Sequence, residues 1–220
     1  MTGPLQVLLM AGPLAFYLYV LAIWQGGARP RVVSGAVDAA LLSVGIGGLL
    51  TYGPFGQLVV AMIFGAPTAI HWVAMTSAMV LAGLGMVRAA TRRVVVYHVG
   101  PEVLDQVMED VLDLRTDRYV RTFGGFEHRS RTHGLRVHVS PLFGAAVIEA
   151  IGQEPERTIQ ELGGKLKARL DRAPVPPATT ATILYGLSAL TMLVALTGLL
   201  MTQPRTREAL RVLLQKLQGG

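Results

Sequence analysis

The stretch LLTYGPFGQLVV, Leu49–Val60, lies in the middle of a run from Ala39 to Val87 that contains no Lys, Arg, Asp or Glu. The hydrocarbon core of a bilayer is about 30 Å thick and is crossed by about 20 apolar residues of helix, so this run is long enough for two spans. One continuous helix would place Pro54 in its interior, where the proline ring clashes with the carbonyl of Leu50. The stretch therefore predicts a break between two membrane spans.

The predicted break divides the uncharged run into parts. We expect the second span at residues 32–52, a turn at Gly53-Pro54-Phe55-Gly56, and the third span at residues 69–91. Residues 58–65 are a short apolar segment between them. A segment of this length does not cross a bilayer, so we expect it at the outer interface or dipping in under the cover of protein.

Two further apolar runs complete the membrane region, a first span at residues 5–24 and a fourth at residues 178–202. The mean hydropathy of +0.46 and the 15% of charged residues agree with a chain that has the bilayer as much of its solvent. No Lys or Arg precedes the first run, and no small-x-small cleavage pattern follows it directly. These features favour a retained helix over a signal peptide.

The net positive charge of the chain is concentrated beside the apolar runs, as is common in membrane proteins. Residues 92–172 hold 13 Lys/Arg and 12 Asp/Glu, so most of the net charge of +6 flanks the apolar runs. This distribution indicates anchoring charge and argues against nucleic acid as a partner. By the positive-inside bias, Arg29 and Arg31 share the cytoplasmic side with Arg92 and Arg93. Both termini are then expected outside, and residues 92–176 are expected in the cytoplasm.

The residue usage adds an expectation about the source. The chain has 17 Arg against three Lys and is rich in Ala, Gly, Val and Leu, which is typical of a GC-rich bacterial genome. We therefore expect a multi-pass protein of the bacterial inner (cytoplasmic) membrane.

Residues 92–172 predict a small α+β domain of order β-α-β-β-β-α between the third and fourth spans. RVVVYHVG is a β-branched strand, and PEVLDQVMEDVLDL is an amphipathic helix whose apolar stripe includes Leu104, Met108 and Leu112. A hairpin is expected to pair Glu127 with His138. Residues 173–177 read as a Pro-rich linker, and residues 203–220 as an amphipathic helix at the interface. The predicted fold class is thus a four-span α-helical membrane protein with an inserted cytoplasmic domain.

Few patterns in the chain carry chemistry. The absence of Cys excludes disulfides and thiolate metal sites, and the sequence has no phosphate loop, no Ser/His/Asp arrangement and no HExxH pattern. The evenly spaced His128, His133 and His138 are the best metal candidates, but residues five apart on a hairpin do not converge. No metal site, cofactor or catalytic residue is predicted. The spans hold no ionisable residue at mid-depth, which argues against a pump, channel or transporter.

The spans and the domain do offer contact surfaces. Small residues at fourfold spacing form one ridge on each of two spans, either to pack the spans together or to dock a partner's helices: Gly35, Ala39, Ser43 and Gly47 on the second and Ala74, Ala78 and Ala82 on the third. The expected interface anchors are Tyr17, Tyr19, Trp24, Arg29, Arg31, Arg92 and Arg93. The basic side of the domain comprises Arg118, Arg121, Arg129, Arg131 and Arg136. Those arginines either compensate the acidic helix within the fold or form part of a protein contact.

The sequence therefore predicts a protein that works through contacts. Our expectation is a non-catalytic accessory or structural subunit of a larger bacterial membrane complex, such as a respiratory or photosynthetic one, whose partners are other integral membrane subunits and the lipid bilayer. The alternative is a membrane-anchored regulatory or scaffold protein whose cytoplasmic domain binds a soluble protein. A small membrane enzyme that uses the three histidines, or a transporter, is a third interpretation.

Overall fold

The computed structural model of the chain describes residues 4–65, 68–112, 119–122, 125–128, 133–140, 144–175 and 178–201. The elements are α1 Pro4–Gln25, β1 Arg31–Ser34, α2 Gly35–Tyr52, α3 Pro54–Phe64, α4 Ala69–Ala90, β2 Arg93–Tyr97, α5 Pro101–Leu112, β3 Tyr119–Thr122, β4 Gly125–His128, β5 His133–Ser140, β6 Ala145–Gly152, α6 Pro155–Leu170 and α7 Thr179–Met201. Within these described residues, four helices, α1, α2, α4 and α7, are long and apolar enough to cross a membrane. The prediction of a mostly helical chain with four apolar helices and a small antiparallel sheet is confirmed. The predicted amphipathic helix at 203–220 lies outside the described residues.

The chain divides into two compact units, and each is described by itself. The first takes in described residues of Met1–Tyr19, Leu42–Ala82 and Tyr185–Gly220, and the second takes in those of Val20–Leu41 and Gly83–Leu184.

In the first unit, α1 and α2 run antiparallel with their backbones in close approach. The Gln6 side-chain amide donates a hydrogen bond of 2.9 Å to the carbonyl of Tyr52 at one end of the pair. A Cβ added to Gly48 would lie 2.4 Å from the carbonyl oxygen of Leu9, so this position accepts only glycine without movement of a helix. Gly47 is different, because an added Cβ there meets nothing within 4 Å.

The same unit contains the break that was predicted between the second and third spans, and it lies between α2 and α3. Gly53 is the extended N-cap of α3 and Pro54 is its first residue, where the missing N–H costs nothing because the first turn has no intrahelical acceptors. The predicted four-residue turn is therefore wrong in extent, since α3 already begins at Pro54 rather than near Leu58. A Cβ at Gly56 would lie 2.0 Å from the carbonyl oxygen of Thr51, so Gly56 lets the two helices follow each other this closely.

The second unit is built on a six-stranded antiparallel sheet of order β1-β2-β6-β5-β4-β3. One face of the sheet packs on α5 and α6, with Val94 and Val96 of β2 beneath Leu104 and Met108 of α5 and with Leu166 of α6 in the same core. On the other face, a smaller cluster joins Val95 and Tyr97 to residues at the end of α1, Leu21 and Trp24. The run RVVVY is thus buried on both faces, which β-branched residues suit well.

The structure corrects the predicted strand count. Residues Arg31–Ser34, assigned in part to the second span, form the edge strand β1, which pairs with β2 from Arg31 opposite Tyr97 to Ser34 opposite Val94. The predicted β-α-β-β-β-α order takes YVRTFGGFEHRS, residues 119–130, as one strand of the hairpin, whereas the structure has two strands there, β3 and β4. The sheet of the second unit is therefore built from two parts of the chain. β1 comes from the first loop, and the other strands come from the segment between α4 and α7.

The predicted register of the hairpin is also wrong. Glu127 lies opposite Gly134, four residues before the expected His138, and Phe126 lies opposite Leu135. Both Phe126 and Leu135 are buried in the core beneath the helices. Gly125 adds a second constraint, because a Cβ there would lie 2.0 Å from the carbonyl oxygen of Leu135. In this register Gly125 of β4, which has no Cβ, lies at the point where β5 comes closest.

The paired glycines of α2 give a matched test of helix contact. We expect Gly48→Ala to destabilise the chain by about 1–3 kcal/mol, as overpacking does, because its methyl group meets the Leu9 carbonyl. Gly47→Ala should be neutral or stabilising by up to about 1 kcal/mol through helix propensity. Unfolding of both variants in mixed detergent micelles measures this, and equal stabilities would contradict the contact.

His98 gives a pH test in the second unit. Its ring is buried and its backbone is left-handed, with φ of 61°. Burial lowers the pKa of His98 below its usual value, so the unfolded chain binds more protons than the folded one as the pH falls through about 6.5. The free energy of unfolding therefore decreases on acidification.

We expect His98→Asn to reduce this dependence, because Asn tolerates positive φ and does not titrate. Thermal unfolding in detergent at about pH 7.5 and pH 5.5 provides the measurement. The difference in Tm between the two pH values should be smaller in the variant than in the original chain, and identical differences would rule out the role of His98.

Candidate functional site

The ridge predicted on the second span is only partly packed. Gly35 lies against the end of α4, where an added Cβ would be 2.5 Å from the Ala90 carbonyl oxygen, and Ala39 is buried. Ser43 is half-buried, whereas Gly47 has open space where a side chain would be. The end of the ridge near the sheet thus closes on the chain's own helix.

The ridge predicted on the third span is not packed on the chain. Ala74, Ala78 and Ala82 are all exposed on α4, and no residue in the most apolar window of this helix is buried. Successive members lie about 40° apart around the helix, so they form one continuous narrow face. This face is apolar, small and open.

The opposite side of α4 is the one turned toward the chain. Trp72 stacks on Tyr52 of α2 with ring centroids 6.0 Å apart, and the hydroxyls of Tyr52 and Thr76 are 3.1 Å apart. Trp72 and Thr76 are half-buried, and at 100° per residue they lie well over 100° around the helix from Ala74 and Ala78. α4 therefore contacts α2 through its larger side chains and leaves its alanine face outward.

The chain's own small-residue contact lies between α1 and α7 and was not among the predicted ridges. Ala11 and Ala15 of α1 and Ser188 and Ala195 of α7 are buried, and the Ser188 hydroxyl donates a hydrogen bond of 2.9 Å to the carbonyl of Ala15. A Cβ at Gly198 would lie 3.1 Å from Val7. The signal was present as fourfold and sevenfold spacing of small residues on the two helices.

The aromatic residues predicted as interface anchors contact other parts of the chain. Tyr17 lies beside Gly45, where an added Cβ would be 2.8 Å from that of Tyr17. Tyr19, which is 49% exposed, meets Tyr185 edge-on with ring centroids 5.9 Å apart. Trp24 is half-buried and its ring centroid is 5.2 Å from that of Tyr97.

Trp24 belongs to a junction between the sheet and two apolar helices. The Tyr97 hydroxyl of β2 donates a hydrogen bond of 2.5 Å to Oδ1 of Asp38 in the first turns of α2. Gln25, the last residue of α1, is buried beside this cluster, close to Gly144. One tyrosine of the sheet thus contacts α1 through its ring and α2 through its hydroxyl.

We expect Tyr97→Phe to lower the free energy of unfolding by about 1–3 kcal/mol, because Asp38 loses a hydrogen-bond donor in a half-buried position. Tyr185→Phe is the matched control, since its ring contact with Tyr19 needs no hydroxyl. A double-mutant cycle with Asp38→Ala, which removes the acceptor, measures the coupling directly. Strict additivity of the two substitutions would show that the hydrogen bond contributes nothing.

On the predicted basic surface of the domain, Arg121 forms ion pairs with two carboxylates. Arg121 of β3 lies 2.6 Å from Asp105 and 3.4 Å from Glu109 on α5. For Arg121 the two surfaces therefore compensate each other within the fold. Arg136 is exposed on β5, and Arg118, Arg129 and Arg131 lie outside the described residues. Among the arginines predicted as interface anchors, Arg93 pairs with Glu149 at 3.0 Å. The backbone carbonyl of Arg92 accepts a hydrogen bond from the N–H of Ala150.

The histidines are placed as follows. His128 meets Tyr119 edge-on with ring centroids 5.1 Å apart, His138 is exposed on β5, and the side chain of His133 lies outside the described ones. In the described part of the chain no group of three His, Cys, Asp or Glu side chains has a metal-binding arrangement.

Tyr119 and His128 line a cleft of about 490 Å³ between α6 and the strands. The cleft is charged, but Arg157 in it pairs with Glu161 at 3.2 Å and with Glu154 at 3.5 Å. Burial and the Glu161 carboxylate raise the pKa of the Tyr119 phenol, which keeps it protonated at neutral pH. The phenol can donate a hydrogen bond there, and the direction of its shift is the wrong one for a general base.

The chain matches no protein-family model, no curated protein and no solved structure.

Proposed function

We propose that the chain is a non-catalytic subunit of a larger membrane protein assembly and that the outward face of α4 docks against a helix of another integral membrane protein. The observation that carries this proposal is the exposure of Ala74, Ala78 and Ala82. Small residues at fourfold spacing let two helix backbones approach closely, and close packing drives helix association in lipid.

The rest of the chain supports this interpretation by comparison. At the contact between α1 and α7, small residues are buried: Ala11, Ala15 and Ala195 are each 6% exposed or less. The chain thus uses small residues as helix contacts where both helices are its own. On α4 the larger side chains make the internal contact, which leaves the face best suited to close approach for a second protein.

The proposed insertion places residues 92–176 in the cytoplasm and both termini outside the bacterial inner membrane. β1 is hydrogen-bonded to β2, so the end of α1 and the end of α4 meet in one sheet and belong on the same side of a bilayer. This agrees with the grouping of Arg29, Arg31, Arg88 and Arg92 by the positive-inside bias. Strand pairing and charge distribution are independent observations, and both favour placing these two ends on one side of the bilayer.

A substitution in the alanine face tests the docking. Ala78→Leu adds bulk at the centre of the face, and overpacking a helix contact costs about 1–3 kcal/mol. We expect the yield of a stoichiometric, co-purifying integral membrane protein to fall by about tenfold or more in mild detergent. The measurement is purification of the tagged full chain from its native membranes, followed by mass spectrometry.

Ala189→Leu is the matched control, because Ala189 is also an exposed alanine on an apolar helix, here α7. It should leave the partner's yield unchanged. The proposal is wrong if the original chain purifies alone or only as a homodimer, or if Ala78→Leu retains the partner as well as Ala189→Leu does.

A further inference from the structure

A second site lies in the first loop, next to the end of α6. A cavity of about 390 Å³ is lined by Gly27, Ala28, Arg29, Pro30, Arg31, Val32, Lys167 and Asp171. This volume lies within the range of about 300–1,000 Å³ that is usual for small-ligand sites. The packing of α6 on β1 creates the cavity, because it brings the last turn of α6 beside Arg31.

The lining of this cavity carries an excess of positive charge. Among the described residues, it holds three cationic side chains, those of Arg29, Arg31 and Lys167, and one carboxylate, that of Asp171. The three cations are exposed, and none of them forms an ion pair or side-chain hydrogen bond with another described residue. This contrasts with Arg93, Arg121 and Arg157 of the same unit, each of which has a carboxylate partner.

The position of the cavity along the chain points to the surface of a bilayer. Gly27 is two residues after the end of α1, and β1 is followed directly by α2. Two residues of chain reach at most about 7 Å, and each interfacial layer of a bilayer is roughly 5–7 Å thick. Arg29 is four residues beyond the end of α1 and Arg31 is four residues before the start of α2, so each lies within about 14 Å of a helix end along the chain. Their long side chains can then reach the lipid headgroups when α1 and α2 cross the membrane.

We propose that this cavity binds the phosphate of an anionic phospholipid headgroup. A guanidinium offers a planar pair of N–H donors that matches two phosphate oxygens, and a Lys ammonium adds a third cation without geometric demand. Asp171 repels the headgroup and limits its affinity. The inference rests on the proposed insertion of the apolar helices and is independent of the docking of α4.

The test uses the full chain in dodecyl maltoside, with bound lipid counted by native mass spectrometry during titration with phosphatidylglycerol. A basic residue near anionic lipid contributes about fivefold in affinity. We expect Arg31→Gln and Lys167→Gln each to raise the Kd for phosphatidylglycerol about fivefold, and the double substitution about 25-fold. Asp171→Asn should lower the Kd.

Arg169→Gln is the matched control, because Arg169 is exposed in the same last turn of α6 and does not line the cavity. It should leave the Kd unchanged. An equal loss in Arg169→Gln would show diffuse attraction and overturn the site. Arg31→Lys keeps the positive charge but loses the planar pair of N–H donors of the guanidinium. A Kd between those of the original chain and Arg31→Gln therefore supports phosphate recognition, and this variant remains informative where the neutral variant folds poorly.

The remaining arms separate the sources of the phosphate. Phosphatidylcholine and phosphatidylethanolamine should bind at least fivefold more weakly than phosphatidylglycerol, by about the contribution of one charge. A preference for phosphatidylethanolamine that Asp171→Asn abolishes would overturn the proposal in favour of a zwitterionic headgroup. Displacement of the lipid by about 10 mM inorganic phosphate, a concentration of ordinary weak anion binding, would reassign the cavity to free phosphate. Extraction of the chain from native membranes by alkaline carbonate would refute insertion itself, which is a separate readout from lipid preference.

Discussion

The pairing of β1 with β2 is the interaction on which the second unit depends. β1 is only four residues long, yet it lies between two apolar helices and hydrogen-bonds to the strand that follows a third. By covering one side of β2, it makes β2 an interior strand with both neighbours present. The polar backbone of the first loop is satisfied by the sheet, and the ends of α1 and α4 and the start of α2 are held together as a consequence. Tyr97, the residue opposite Arg31, then completes the junction through Trp24 and Asp38.

Local patterns in the sequence predict most of the elements in this arrangement. The spans follow from the length and apolarity of the runs, α5 follows from its stripe of Leu104, Met108 and Leu112, and β2 follows from its β-branched residues. β1 could not be found in the same way, because its two valines, Val32 and Val33, are too short a pattern to indicate a strand and fall at the start of the predicted second span. What makes them a strand is the free edge of β2, which is a tertiary feature.

The register of the hairpin shows a second limit of sequence patterns. A shift by an even number of residues leaves every side chain on its expected face, so alternation of polar and apolar residues cannot distinguish Glu127 opposite His138 from Glu127 opposite Gly134. The deciding contacts are the burial of Phe126 against the core and the space needed by β5 beside Gly125. The two ridges of small residues predicted on the second and third spans are a similar case, because spacing identifies a face that permits close packing but does not say which helix will occupy it.

The distribution of charge in the second unit separates two roles for its basic residues. Arg93, Arg121 and Arg157 lie on the sheet and on α6 beside acidic side chains, and their ion pairs are exposed to solvent, which screens them. Those pairs neutralise the surface of the unit without requiring anything from outside. Arg29, Arg31 and Lys167 meet at the first loop with Asp171, the one carboxylate among the described residues that line the cavity. In the proposed insertion, this excess of cations lies next to a layer of lipid phosphates, which supplies the compensating charge. By the positive-inside bias the same excess would favour a cytoplasmic first loop, so the proposed headgroup site and the proposed orientation of α1 and α2 depend on the same residues.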